Sequence, residues 1–83
     1  MHYVYVLRSS NDDGFYIGYS ANLRKRLEQH ARGNSYATSF RRPLMLIYYE
    51  AYLEQTDAIG RERYLKSWSR QEISQKPIAK LSG

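Results

Sequence analysis

Eighty-three residues, 42% hydrophobic and 25% charged, have room for one small soluble domain and no second one. The chain holds no cysteine, which excludes a disulfide scaffold, cysteine-ligated zinc and a thiol nucleophile, and no apolar run approaches the ~18 residues that cross a bilayer. Thirteen Lys and Arg against eight Asp and Glu leave a net charge of +5, a balance that points to a polyanionic partner, with nucleic acid the leading candidate.

The opening stretch lacks a basic segment followed by an apolar core, so no secretory leader is expected and a cytoplasmic location is. Met1 to Leu7 alternates Val4 and Val6 with Tyr3 and Tyr5 and reads as a strand. Ser9 to Gly14 is a cluster of turn residues, and Phe15 to Tyr19 is a second strand, making an antiparallel hairpin. Gly18 inside that strand marks either a bulge or a close approach of backbone or ligand. Ser20 to Arg32 is helical. Ser20 or Asn22 caps it, Gly33 ends it, and Leu23, Leu27 and Ala31 form its buried stripe.

Residues 33–43 form a loop, with Arg41 and Arg42 at its end. Leu44 to Tyr52 is a nearly continuous run of strand formers and predicts a central or well-covered third strand. Glu54 to Ser69 is a second helix, capped by Thr56 or Asp57, in which Gly60 costs about 1 kcal/mol relative to Ala. Residues 70–83 are polar, and Pro77 breaks any pattern there. The order β-β-α-β-α predicts an α/β fold, a small three-stranded sheet flanked by helices, with residues 1–83 as one domain.

Two anomalies stand out on the helices. Arg26 and His30 are an i, i+4 pair at the edge of the apolar stripe of the first helix. A snorkelling arginine and a satisfied boundary histidine would account for them. Glu62 lies on the apolar side of the second helix, among Ala58, Ile59 and Leu65. Carboxylates seldom stand there alone. An ion pair with Lys66 or Arg26 is one explanation. A ligand to a hard cation is the other, since Mg²⁺ often takes one or two carboxylates and completes its shell with water and phosphate. Nine tyrosines crowd the chain, and Tyr3, Tyr5, Tyr16 and Tyr19 all fall on the hairpin. Cross-strand packing explains them without chemistry. No triad, Gly-rich phosphate loop or HExxH motif occurs.

Tyr3-Val4-Tyr5 followed by Tyr16-Ile17-Gly18 resembles the paired motif of the GIY-YIG nuclease superfamily. The agreement extends through Ser20-Ala21-Asn22-Leu23, Lys25-Arg26-Leu27, His30, Arg42-Pro43-Leu44, Leu46 to Glu50, Glu62, Leu65-Lys66 and Trp68-Ser69-Arg70, in the manner of the compact single-domain branch. The resemblance implies a divalent-metal-dependent endonuclease using Mg²⁺ or Mn²⁺ to cut a phosphodiester in DNA, with a place in DNA repair. Carried over by position, Tyr5, Tyr16, Arg26 and His30 are the expected catalytic residues, and Glu62 is the expected metal ligand. Gly18 is expected to let the nucleic acid approach. Arg24, Lys25, Arg41, Arg42, Arg61, Arg63 and Arg70 are expected phosphate contacts, each also readable as a solvated surface charge. Branched or damaged DNA is the expected substrate, selected by structure rather than sequence, and RNA stays open beside it. The alternative is a non-catalytic nucleic-acid-binding module on the same fold.

The chain departs from the family pattern in three places. Tyr3-Val4 replaces Gly-Ile, Tyr19 stands where some relatives carry lysine, and no asparagine falls near Ser74 and Gln75.

Overall fold

The computed structural model describes residues 1–35 and 38–75, with side chains described as far as Ser67. Strands β1 (His2–Ser9) and β2 (Phe15–Ser20) form the hairpin, helix α1 (Leu23–Arg32) follows, and β3 (Leu44–Tyr52) leads into α2 (Gln55–Gln75). The result is an α/β fold with a three-stranded antiparallel sheet in the order β2-β1-β3.

Local chemistry sets the ends of α1. Asn22 is the N-cap, its side chain accepting from the Lys25 N–H. Ser20 instead closes β2 and ties the turn through hydrogen bonds between its hydroxyl and the Asn22 backbone. Gly33 ends the helix at φ 79°, a left-handed geometry that glycine enters freely.

Three expectations need correction. The apolar run of β3 is not central: β1 occupies the middle, and Met45, Ile47, Tyr48 and Tyr49 of the outer strand β3 stand exposed. A bulge at Ile47 lets the pairing pass from Val6↔Tyr48 to Leu7↔Leu46. Nor do Leu23, Leu27 and Ala31 make a buried stripe. The two leucines are half-covered, Ala31 is exposed, and the one buried residue of α1 is His30. The helix α2 also runs on to Gln75 rather than stopping at Ser69. The remaining expected tail, with Pro77, lies outside the described residues.

Strand alternation divides the molecule into two faces. Val4, Ile17 and Ala58 form the buried cluster on one face, packed round by Val6, Tyr19, Tyr52 and Leu65. That is the α2 side. Tyr5, next to Val4, points to the opposite face and meets His30 of α1.

Candidate active site

The antiparallel register places Gly18 on one side of Tyr5 and Tyr49 on the other. Tyr5 is fully buried. A Cβ at Gly18 would overlap the Tyr5 hydroxyl and come within 2.5 Å of its Cζ. The missing side chain therefore makes room for the Tyr5 ring. Gly18 is itself buried and laddered to Tyr5, so the expectation that it receives substrate is replaced by this internal role.

The Tyr5 hydroxyl lies 2.8 Å from His30 Nε2, and His30 Nδ1 lies 2.7 Å from Thr38 Oγ1. All three side chains are buried. Among the described residues no buried side-chain nitrogen or oxygen lacks a partner, as a polar chain in the interior requires. Tyr16 completes the group. Its ring packs edge-on against His30 at 5.2 Å and tilts against Tyr5 at 6.3 Å. Unlike Tyr5 it is only half-buried.

Electrostatics keep this chain neutral. Burial pushes the Tyr5 phenol well above its ordinary range, the neighbouring Tyr16 adds to the rise, Arg26 opposes it, and Glu62 raises it further. Burial holds His30 below the usual histidine value, and the positive charge of Arg26 lowers it again. A neutral imidazole has one donor and one acceptor nitrogen. With the phenol protonated, donation from the Tyr5 O–H to Nε2 puts the imidazole proton on Nδ1, aimed at Thr38.

Two charged groups contribute to these shifts. Arg26 acts on both Tyr5 and His30, and Glu62 acts on Tyr5 although its helix covers the other face of the sheet. Arg26 is half-buried, and the Glu62 side chain is 18% exposed with Oε2 3.1 Å from Lys66 Nζ. Three separate elements and the loop before β3 thus bring Tyr5, Tyr16, His30 and Thr38 together.

A family model described as the GIY-YIG catalytic domain matches residues 1–76. The chain belongs to the GIY-YIG family. Its relatives include the UPF0213 proteins SAV0488 and MW0443 of two Staphylococcus aureus strains, Mu50 and MW2. Each is 38% identical over 72 residues, 86% of this chain and 87% of the relative. The solution NMR structure of the UPF0213 protein BH0048 from Bacillus halodurans is similar throughout, with a TM-score of 0.55 and 31% identity. The match covers 99% of this chain and 85% of that one. GIY-YIG domains are in general endonuclease domains that act on DNA and typically use divalent metals.

Within this GIY-YIG domain the basic residues divide into two sets. Arg41 is engaged with Asp12 (Nε to Oδ2, 2.7 Å) and with the Phe15 carbonyl. Its guanidinium holds the Asp12 carboxyl down at about 2, helped by the Gly14 N–H. Arg42 donates to the carbonyls of Ser39 and Ala31. Arg61 is gripped by Glu50, at 3.0 Å, and lies over the Tyr64 ring. Burial works against the Glu50 charge, but Arg61, Tyr48 and Tyr52 outweigh it and hold the carboxyl at about 2. These three arginines brace the fold. Arg24, Lys25 and Arg63 are exposed, while the side chain of Arg70 lies outside the described residues. Lys25 and Arg26 also line a small hollow with Ser20, Asn22 and Gln29.

Sequence reading missed Thr38 and Glu50. Glu50 closes the Leu46–Glu50 stretch without any sign of the arginine it grips, and a threonine in an aperiodic loop gives no signal of the imidazole it meets. Among the described residues no cluster of three or more His, Cys, Asp or Glu could hold a metal. A sparse Mg²⁺ or Mn²⁺ site, in which one carboxylate is completed by substrate phosphate and water, needs no such cluster, and the half-buried carboxylate of Glu62, paired with Lys66, is of the chemical type that would serve it.

Proposed function

We propose that this chain is a single-domain, divalent-metal-dependent endonuclease spanning residues 1–83. It hydrolyses a phosphodiester bond in DNA, chosen by the shape of the nucleic acid rather than by its sequence. Support comes chiefly from one observation: the buried imidazole of His30 is hydrogen-bonded to Tyr5 and carries the more accessible Tyr16 ring against it.

Hydrolysis of a phosphodiester needs an activated water and a stabilised pentavalent phosphorus. Tyr5 has no exposure, so Tyr16 is the phenol that meets the attacking water and takes its proton. Arg26 donates guanidinium hydrogen bonds to the non-bridging oxygens as negative charge builds there. Tyr5, His30 and Thr38 are positioning residues that hold the Tyr16 ring in place. Glu62 would hold the Mg²⁺ or Mn²⁺, which when bound supplies Lewis-acid stabilisation of the phosphate and the leaving oxygen. Arg24, Lys25 and Arg63 contribute salt-sensitive contacts to flanking phosphates of a branched or damaged duplex.

The Lys66–Glu62 ion pair favours a second reading, a binding module whose acid is permanently occupied. Labelled branched, nicked and linear DNA and single-stranded RNA, each incubated with Mg²⁺, Mn²⁺ or a chelator, separate the two. The nuclease cuts branched DNA with either metal and not with chelator. Tight, salt-sensitive binding without cutting in either metal returns the chain to the binding module.

A further inference from the structure

The failed stripe of α1 leaves an open groove of about 660 Å³ between that helix and the sheet. Tyr3, Tyr49, Leu23 and Leu27 line it with Arg24 and Glu28. Its volume is that of a small-molecule site, and its make-up is apolar with a few polar groups at the rim. Tyr49 is 53% exposed, and its ring meets that of Tyr3 edge-on at 6.3 Å. Neither ring has a part in the reaction above.

The groove opens on the β3 side of α1, apart from the hollow that Arg26 lines. Tyr49 is the cross-strand partner of Tyr5, and Tyr3 is two residues along the same face. We infer that the groove is a stacking pocket for one unpaired nucleobase of a bound strand. The inference rests on the nucleic-acid reading above and narrows its substrate to strands with an extruded or single-stranded base, as at a junction, flap or gap. A base paired within a duplex is not available to such a pocket.

Charge and shape select this occupant. The two tyrosines present ring surface on which any base can stack. Arg24, exposed at the rim with Lys25 next to it, suits the phosphate of the same nucleotide. Glu28 follows Arg24 by one helical turn, and its carboxylate suits an exocyclic amine, which favours cytosine over thymine. An apolar peptide or a second copy of this chain would cover Arg24 and Glu28 without giving either a partner.

The test uses the full chain and fluorescein-labelled oligo-dC and oligo-dT of about eight nucleotides, with a short duplex as control, in chelator so that nothing is cut. Binding is followed by fluorescence anisotropy. Tyr49→Ala is expected to weaken oligo-dC binding about tenfold, the scale of one lost base–aromatic stack, and to leave duplex binding within twofold. Tyr49→Phe restores the single-strand affinity, and Glu28→Gln removes the preference for dC over dT. Equal single-strand binding by wild type and Tyr49→Ala overturns the pocket, as does an equal loss on single strand and duplex. Elution of wild type as a dimer and Tyr49→Ala as a monomer, with binding unchanged, gives the groove to a second copy. Cutting is scored separately with Mn²⁺. Tyr49-dependent binding without any cutting removes the nuclease reading and keeps the pocket, whereas cutting with Tyr49-independent binding does the reverse.

Discussion

The Tyr5 hydroxyl and His30 Nε2 meet at 2.8 Å in the protein interior, from positions 25 residues apart in the chain. Both groups are kept neutral by burial, and Thr38 satisfies the far side of the imidazole. The pair is thus a fixed wall against which the more accessible Tyr16 rests.

Thr38 closes that chain, so its hydroxyl should matter more than its size. Thr38→Val keeps the shape and leaves a buried imidazole nitrogen without a partner. A loss of about 1–3 kcal/mol is expected from chemical denaturation, with Thr38→Ser recovering most of it. Equal stabilities for the valine variant and wild type would show that the hydrogen bond carries nothing.

Stability should fall as the solution is acidified through the histidine range. His30 titrates below its ordinary value when folded, so the unfolded chain binds the proton first. The stabilisation is present above about pH 6.5 and is lost as pH falls toward the folded value. Glu50, held at about 2 in the fold, adds a second loss below the ordinary carboxylate range. Thermal melts between pH 8 and pH 2 should show both, and His30→Asn should flatten the first step alone.

Two glycines should respond in opposite directions to alanine. At Gly18 a Cβ collides with the Tyr5 ring, which predicts destabilisation of roughly 1–3 kcal/mol and loss of any cleavage. At Gly60 a Cβ meets nothing within 4 Å, which predicts a gain of about 0.5–1 kcal/mol with cleavage unchanged. Melting temperatures that move the same way for both would contradict this.

Lys66 competes for the acid that is proposed to hold the metal. Lys66→Gln should tighten Mn²⁺ binding two- to fivefold, the worth of a partly exposed ion pair, as read by calorimetry on the protein alone. Glu62→Gln should abolish that binding. Unaltered Mn²⁺ affinity in Glu62→Gln would place the ion elsewhere.

Much of this was legible in the residues. The hairpin announced itself through Val/Tyr alternation broken by the Ser9–Gly14 turn, and Gly33 marked the end of α1. The family motifs drew attention to the same residues that looked misplaced on the helices, Arg26 with His30 and then Glu62. What stayed hidden depends on partners far away in the chain. An apolar run such as Leu44–Tyr52 does not say whether a further strand lies beside it, and here none does among the described residues. Leucines at helical spacing do not say whether anything covers them, and Leu23 and Leu27 look onto an open groove. The engagement of Arg41 by Asp12 and of Arg61 by Glu50 likewise comes from tertiary contacts that composition counts as free positive charge.

Single-turnover cleavage of a labelled branched DNA in Mn²⁺ bears most directly on the proposed centre, with wild type compared against Tyr16→Phe, Arg26→Ala and Glu62→Gln, each verified as folded by its melt. Cutting by wild type with at least a hundredfold loss in every variant is the predicted result, in line with removal of a transition-state donor. Cutting that persists at the wild-type rate in Arg26→Ala and Glu62→Gln would contradict it.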